Sequence, residues 1–248
     1  MIIIKTQSEI EIMRQGGKIL AQIVKEVGEA AKPGVSTEEL NYLAEKLMRK
    51  YKAEPSFKNY RGYPKSICTS VNDVIVHGIP SAEAVLKNGD ILGLDIGLKY
   101  KELYTDMAVT IPIGRISKAA RRLINVTKKS LELALKKVRA GQALGDICYA
   151  VQNYAEANGF DVIRDLVGHG VGKQVHEDPK IPNYGEPGSG VILAEGMTLA
   201  IEPMVVAGYP EISVDDDGWT ARTKDGELAA HFEVTLAVTR DGLQILTK

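Results

Sequence analysis

The sequence repeats itself, and this repeat limits the possible folds more than any other feature. An offset of 107 positions relates three pairs of residues: Gly34 and Gly141, Gly89 and Gly196, and Asp95 and Glu202. The same offset places the apolar segment NGDILGLDIG over EGMTLAIEPM. Agreement between separate features indicates two related halves.

Each half is predicted to begin with two helices. In the first half, Ser8 and Glu11 form a capping pattern before apolar residues at helical spacing, which predicts a helix to about Val27. Ser36 and Glu39 repeat the pattern before a second helix. The corresponding helices of the second half are expected over about 117–138 and 146–157.

Apolar strands follow the helices in each half. ILGLDIGLKY and LYTDMAVTIPIG are predicted to form an antiparallel hairpin with a loose turn near 99–102. Asp106 and Glu233 occupy corresponding places in the second arms but lie 127 positions apart. The second hairpin therefore carries about twenty extra residues, in the loop PEISVDDDGWTARTKDG.

These patterns predict one α/β (α+β) domain over residues 1–248, with halves of about 8–114 and 117–248. In each half, helices would back an antiparallel sheet, and a pseudo-twofold axis would relate the two halves. No Pro- or Ser-rich linker separates the halves, which disfavours two independent domains.

Composition excludes several classes of partner. Lys and Arg total 31 against 32 Asp and Glu, so no basic excess favours nucleic acid or an anionic membrane. The apolar run before Lys5 is too short for a signal sequence or a membrane span. We therefore expect a cytoplasmic protein, in which Cys68 and Cys148 stay reduced.

Four acidic residues interrupt the predicted apolar strands: Asp95, Asp106, Glu202 and Glu233. An unpaired ionised carboxylate is very costly to bury, and no Lys or Arg lies within two positions of any of them. Carboxylates and imidazole from both halves have the composition of a two-metal hydrolytic site. The sequence thus predicts a metal centre between the halves.

The histidines are expected to take different roles around this centre. His169 lies between two glycines that would let the backbone bend and the ring reach a metal, and His77 lies in a loop suited to a substrate contact. His176 follows His169 by seven positions, which would place the rings on opposite faces of a regular strand. His231 is expected to support the ligands, whereas Glu177 and the following aspartate are expected at a solvated loop edge.

Together, the motifs resemble those of the type I methionine aminopeptidases, which have the duplicated pita-bread fold. The resemblance covers almost the whole chain and rests on YRGYPKSICTSVNDVIVHGIP, the hairpin of Asp95 and Asp106, VGHGVGKQVHEDPKIPNYG, GMTLAIEPM, DDGWT and HFEVTLAVT. Only 26 positions separate His176 from Glu202, which leaves no room for the helical insertion of type II enzymes. With no N-terminal extension either, the chain resembles the short bacterial form.

The resemblance implies two divalent ions of Co, Mn, Fe or Zn. By the family pattern, Asp95 would bind one ion and Asp106 and Glu233 would bridge both. His169 and Glu202 would complete the other site. All five residue types are present at the matching positions.

The resemblance also implies a substrate and a set of contacts. His77 and His176 would bind the substrate and stabilise the tetrahedral intermediate, and Glu202 would transfer the proton of the attacking water. The enzyme would be a monomer that removes methionine from new chains with a small second residue, with transient ribosome association allowed. The implied methionine pocket consists of Phe57, Tyr60, Tyr63, Cys68, Val175 and Trp219.

Two alternatives remain open from the sequence. Proline-directed aminopeptidases and prolidases share the fold, but they carry a large N-terminal domain for which residues 1–35 leave no room. A non-catalytic module that binds peptides or ribosome-associated partners would not need all five ligands.

Overall fold

The computed structural model describes all residues from 1 to 248, and it is a mixed α/β structure. Its four α-helices are α1 Gln7–Ala30, α2 Thr37–Lys50, α3 Lys118–Leu135 and α4 Leu144–Ala157. The strands are β1 Glu54–Pro55, β2 Cys68–Val71, β3 Val74–Val76, β4 Ile91–Tyr100, β5 Leu103–Pro112, β6 Asp161–Val162, β7 Val167–Gly170, β8 Glu177–Pro182, β9 Thr198–Ile201, β10 Met204–Val206, β11 Ile212–Val214, β12 Ala221–Thr223, β13 Ala229–His231, β14 Val234–Thr239 and β15 Gly242–Ile245. None of the helices combines the length and the apolar character that crossing a membrane requires.

Side-chain caps set the helix starts, and one predicted cap is wrong. The Ser36 capping box of α2 is present as expected. At α1, however, the cap is Thr6, whose hydroxyl accepts from the amide of Glu9 while the Glu9 carboxylate accepts from the amide of Thr6. Ser8 lies inside the first turn and Glu11 pairs with Arg14, so the true box begins two residues earlier.

The predicted hairpins form, and each lies in its own sheet. In the first half, β4 and β5 pair along their whole length, and β1 and β2 share the opposite edge of β4. In the second half, the strand order is β15-β14-β9-β7-β8, all antiparallel. Apolar residues of α1 and α2 cover the first sheet, and those of α3 and α4 pack in the core of the second half.

Backbone contacts recur at the offset of the sequence repeat. The amide of Gly34 bonds to the carbonyl of Leu86, and the amide of Gly141 bonds to that of Leu193, both at 2.8 Å. Two isolated β-bridges also correspond, Ser36 with Val85 and Ala143 with Ile192. The two halves therefore share their local hydrogen bonding as well as their sequence pattern.

The halves meet where β5 runs beside the segment leading into β14. The amide of Glu233 bonds to the carbonyl of Ala108 at 2.8 Å. The hydroxyl of Thr235 accepts from the amide of Asp106 and donates to its carbonyl, both at 2.8 Å. These bonds place acidic residues from the two halves side by side.

The extra residues of the second hairpin form a hairpin of their own. Within them, β11 pairs with β12, and β12 pairs with β3 of the first half. The turn between β11 and β12 carries Trp219, whose amide bonds to the Asp217 carboxylate at 2.7 Å. The insertion thus forms a second contact between the halves and places the Trp219 ring at the boundary between them.

Close packing of α1 against the C-terminal residues predicts a stability difference between two glycines. A Cβ at Gly17 would lie 2.3 Å from the carbonyl oxygen of Leu246, whereas one at Gly28 would lie 3.7 Å from Ile111. We expect Gly17→Ala to lower the free energy of unfolding by about 1–3 kcal/mol, because the backbone must shift. Gly28→Ala should be neutral or stabilise by up to about 1 kcal/mol. Urea unfolding of both variants checks this, and equal effects would contradict it.

Candidate metal centre

Strand register brings the two aspartates of the first half together. Asp106 on β5 pairs with Gly97 on β4, and Gly97 lies two residues after Asp95. Residues two apart on a strand point to the same face, so both carboxylates project from one side of the hairpin.

The acidic residues of the second half lie at the ends of paired strands. Ile201 pairs with Val234, so Glu202 and Glu233 face each other directly beyond β9 and before β14. His169 on β7 pairs with Ala200, which makes it a diagonal neighbour of Glu202. The His169 Nε2 and Glu202 Oε1 atoms are 3.6 Å apart.

The glycines beside His169 serve close packing, which differs from the expected loop. His169 lies in β7 and not in a loop, and the register of β7 with β8 shifts between His169 and Gly170. A Cβ at Gly168 would lie 2.6 Å from the Ala200 carbonyl oxygen, and one at Gly170 would lie 2.2 Å from that of Asp178. The glycines are needed because the backbones of neighbouring strands approach β7 on both sides.

The four carboxylates are crowded together in a largely buried site. Burial, with the negative charge of neighbouring carboxylates, raises the pKa of Asp95 and Glu233 well above their ordinary values. Burial is also the main cause that raises the pKa of Asp106 and of Glu202 to about 7. No Lys or Arg forms an ion pair with any of the four, and Oδ1 of Asp95 and Oε1 of Glu233 have no hydrogen-bond partner. A bound cation would compensate both the charge and the unpaired atoms.

The donor atoms are close enough to share metal ions. Ligand atoms of Asp106, His169 and Glu233 lie within 4.8 Å of one another, and so do those of Glu202, His231 and Glu233. Nδ1 of His169 lies 2.8 Å from the Gly170 carbonyl, so this nitrogen carries the proton. Nε2 is therefore the atom available to a metal.

His231 lies beside the acidic residues, as its position two residues before Glu233 suggests. The ring is buried, and its Nε2 atom lies 3.3 Å from Oε2 of Glu202. Burial lowers the pKa of His231 to about 4, so the ring is neutral near pH 7. Nε2 of His231 has no hydrogen-bond partner and is within reach of an ion shared with Glu202 and Glu233.

A cavity of about 150 Å³ adjoins the carboxylates. The residues that line it are Phe57, Tyr60, Tyr63, Cys68, Val76, His77, Asp95, Asp106, Leu166, Val167, His169, His176, Glu202, Met204, Trp219 and Glu233. One wall is thus acidic and the rest is largely aromatic, aliphatic and sulfur-containing. Every predicted site residue except Val175 lines this cavity.

The apolar part of the cavity differs from the expected pocket in two ways. Val175 packs in the same apolar cluster as Phe57 but does not line the cavity. Sequence reasoning also missed four residues that do line it: Val76, Leu166, Val167 and Met204. The period of two along strands could have found Met204, since it lies two residues after Glu202.

Aromatic packing shapes the far end of the cavity. The Tyr63 hydroxyl donates to the Ile67 carbonyl at 3.0 Å, and its ring meets that of Trp219 edge-on with 5.2 Å between centroids. Burial raises the pKa of both Tyr63 and Cys68, so both groups are neutral. A neutral, polarisable pocket suits an unbranched apolar side chain.

The two other histidines stand at the boundary between the acidic and apolar walls. His77 adopts a left-handed backbone conformation, with φ of 60°, and its ring contacts Trp219. The rings of His169 and His176 are 4.3 Å apart, so they do not face opposite directions. The chain between them turns back from β7 to β8, which breaks the alternation of a regular strand.

Glu177 does not lie at a solvated edge. Its side chain is 2% exposed and forms an ion pair with Lys5, which sequence reasoning did not connect to the site. Only Asp178 is exposed as expected. A partner 172 residues away leaves no local signal in the sequence.

Buried carboxylates and imidazoles from two duplicated halves define a metal-dependent hydrolytic centre. The model of metallopeptidase family M24 matches residues 11–240. The chain therefore belongs to this family.

Comparison with individual proteins shows which members of the family this chain is similar to. A methionine aminopeptidase from Clostridium acetobutylicum is 50% identical over 247 residues, which span 100% of this chain and 99% of the relative. A crystal structure of a methionine aminopeptidase from Thermotoga maritima is 48% identical and covers 100% of both chains with a TM-score of 0.99. The fold is thus the expected pita-bread fold. A prolidase from Pyrococcus furiosus is 25% identical with a TM-score of 0.81, and the match covers 65% of its length.

The raised pKa of Asp106 predicts a pH-dependent stability in metal-free protein. Because the folded-state pKa of about 7 exceeds the ordinary value of 3.8, the unfolded state releases this proton first as pH rises. Wild-type stability should therefore fall relative to Asp106→Asn between about pH 4 and pH 7, by a few kcal/mol.

Urea unfolding of both proteins in chelator across this range measures the difference. The exposed Asp165→Asn is the matched control and should show no such trend. A difference between wild type and Asp106→Asn that stays constant with pH would contradict the assignment.

Proposed function

We propose that the protein is an aminopeptidase that removes the N-terminal methionine from peptides and newly made proteins with a small second residue. The observation that carries this proposal is one cavity with an acidic wall and a neutral, sulfur- and ring-lined wall. The names of the full-length relatives support it. Residues 1–248 would act as a single catalytic domain, and we propose a monomer in the cytoplasm that contacts the ribosome transiently.

Five residues would hold two divalent ions. We assign Asp95 to one ion, Asp106 and Glu233 to bridging positions, and His169 and Glu202 to the other ion. The unpaired oxygens of Asp95 and Glu233 and the free Nε2 of His169 support these roles. Oxygen ligands with one imidazole suit Mn, Fe, Co or Zn alike. When bound, such ions polarise a peptide carbonyl, lower the pKa of a water and ligate a free α-amine.

The protein's own groups would then bind the substrate and move protons. Methionine would occupy the space between Phe57, Cys68 and Trp219, with its thioether against ring edges and sulfur. Glu202, whose side chain is 12% exposed at the rim of the cluster, would take the proton of the attacking water and pass it to the leaving amine.

His77 and His176 would contact the reacting peptide. Burial lowers the pKa of His77 to about 4, and desolvation with the nearby imidazole of His169 lowers the pKa of His176. Both rings are therefore neutral near pH 7. Nδ1 of His176 lies 3.0 Å from the Tyr60 hydroxyl. If that hydroxyl donates, Nε2–H of His176 is free to donate to the oxygen that becomes negative in the transition state.

Peptide hydrolysis by metal-loaded protein tests the function. Met-Ala-Ser should release methionine, because methionine fits the apolar wall and alanine suits a small second position. Peptides of the form Xaa-Pro should be poor substrates. Mass spectrometry of the products compares them, and preferential cleavage of Xaa-Pro would favour a proline-directed enzyme. Peptide binding with no cleavage of either peptide would indicate a binding module.

Two substitutions separate metal binding from substrate contact. Asp106→Ala should lose metal, because it removes a bridging carboxylate. His176→Ala should keep its metal but lower kcat by about a hundredfold or more, because it removes a contact to the transition state. Elemental analysis and methionine release measure the two effects, and equal metal loss in both variants would refute the division of roles.

A further inference from the structure

A buried ion pair between Lys5 and Glu177 lies directly after the chain segment that joins His169 to His176. Nζ of Lys5 donates to Oε2 of Glu177, and the two side chains are 1% and 2% exposed. Nζ also donates to the carbonyl oxygen of Ile3 at 3.1 Å. Buried charges persist when they are paired and hydrogen-bonded, so this pair belongs to the interior and not to the surface.

The second oxygen of Glu177 holds the loop that precedes it. Oε1 accepts from the amides of Lys173 at 2.5 Å and Gln174 at 2.9 Å. Those amides lie three and two residues before His176, and Glu177 follows it directly. One carboxylate therefore fixes the backbone on both sides of this histidine.

Lys5 is itself anchored to the second half. Its amide bonds to the carbonyl oxygen of Gly196 at 2.8 Å. Its side chain crosses the loop at Gly172, where a Cβ would lie 2.4 Å from the Lys5 Cε atom. The loop at Gly172 thus packs against the Lys5 side chain, and the Lys5 backbone is held in turn by its bond to Gly196.

Two residues contact the His176 ring directly, Tyr60 and His169. His176 is exposed, and its ring is held by the Tyr60 hydroxyl at 3.0 Å and by the edge of the His169 ring. We propose that Lys5 and Glu177 are positioning residues that set the place of the His176 ring in the site. The inference rests on the proposed function, in which His176 contacts the reacting peptide.

Kinetics in two backgrounds test this role. Glu177→Gln keeps the size of the side chain but removes its charge, and Lys5→Met with Glu177→Leu removes both charges without leaving one unpaired. Each should lower kcat for Met-Ala-Ser by about ten- to a hundredfold, as expected for a misplaced catalytic contact, with metal content unchanged. In a His176→Ala background they should have no further effect, because no ring remains to be positioned.

A control variant lies on the same loop. Lys173 forms an ion pair with Glu9 through a side chain that is 49% exposed, so Lys173→Gln removes a charge from this loop and leaves both members of the buried pair in place. Its kcat should match that of wild type. An equal loss of kcat from Glu177→Gln in the wild-type and His176→Ala backgrounds would overturn the proposal, since that result indicates a general structural role.

A measurement without turnover separates this proposal from the proposed function. In metal-free protein, Glu177→Gln should speed hydrogen exchange at the amides of Lys173 and Gln174 and shift the imidazole NMR signals of His176. These changes would support positioning even if the wild-type enzyme released no methionine, in which case only the proposed function fails. Unchanged His176 signals would overturn the positioning role whatever the activity.

Discussion

Four largely buried carboxylates share one wall of the cavity, and the cost of keeping like charges there governs the structure around them. No basic side chain offsets that cost. The raised pKa values favour protonation in the metal-free protein, and bound cations would offset the charge. The four carboxylates come together only if the β4–β5 and β9–β14 strand pairs each keep their register and pack side by side. The Thr235 hydroxyl, which replaces a backbone partner for Asp106, is one of the contacts that secures this meeting.

The duplicated fold gives the two walls of the cavity different origins. Both halves supply carboxylates, so the acidic wall lies on the boundary between them. The apolar wall combines Phe57, Tyr63 and Cys68 of the first half with Trp219 from the inserted hairpin of the second. Equivalent strands of the two halves thus supply the acidic wall. The insertion found in the second half alone supplies part of the apolar wall, which would distinguish one peptide from another.

The three histidines nearest the substrate space differ in how they are held. His169 lies in a strand whose neighbours approach so closely that only glycines fit beside it. His77 is set by a left-handed backbone conformation. His176 is exposed and follows a loop organised by the Glu177 carboxylate and Lys5. Strand packing therefore holds His169, which we propose as a metal ligand, and a buried ion pair supports the loop before His176, which we propose as a substrate contact.

The sequence alone determined the repeat, the helices, the hairpins and the four acidic strand positions, because each is written in local periodicity or in a fixed offset. It also indicated His231, which lies two positions before the acidic residue Glu233. Tertiary structure decided that the His169 glycines accommodate neighbouring strands, that Val175 lies behind the cavity, and that Glu177 is buried. These outcomes depend on contacts between residues far apart in the chain, such as Lys5 with Glu177, and no local pattern encodes the distance between two such side chains.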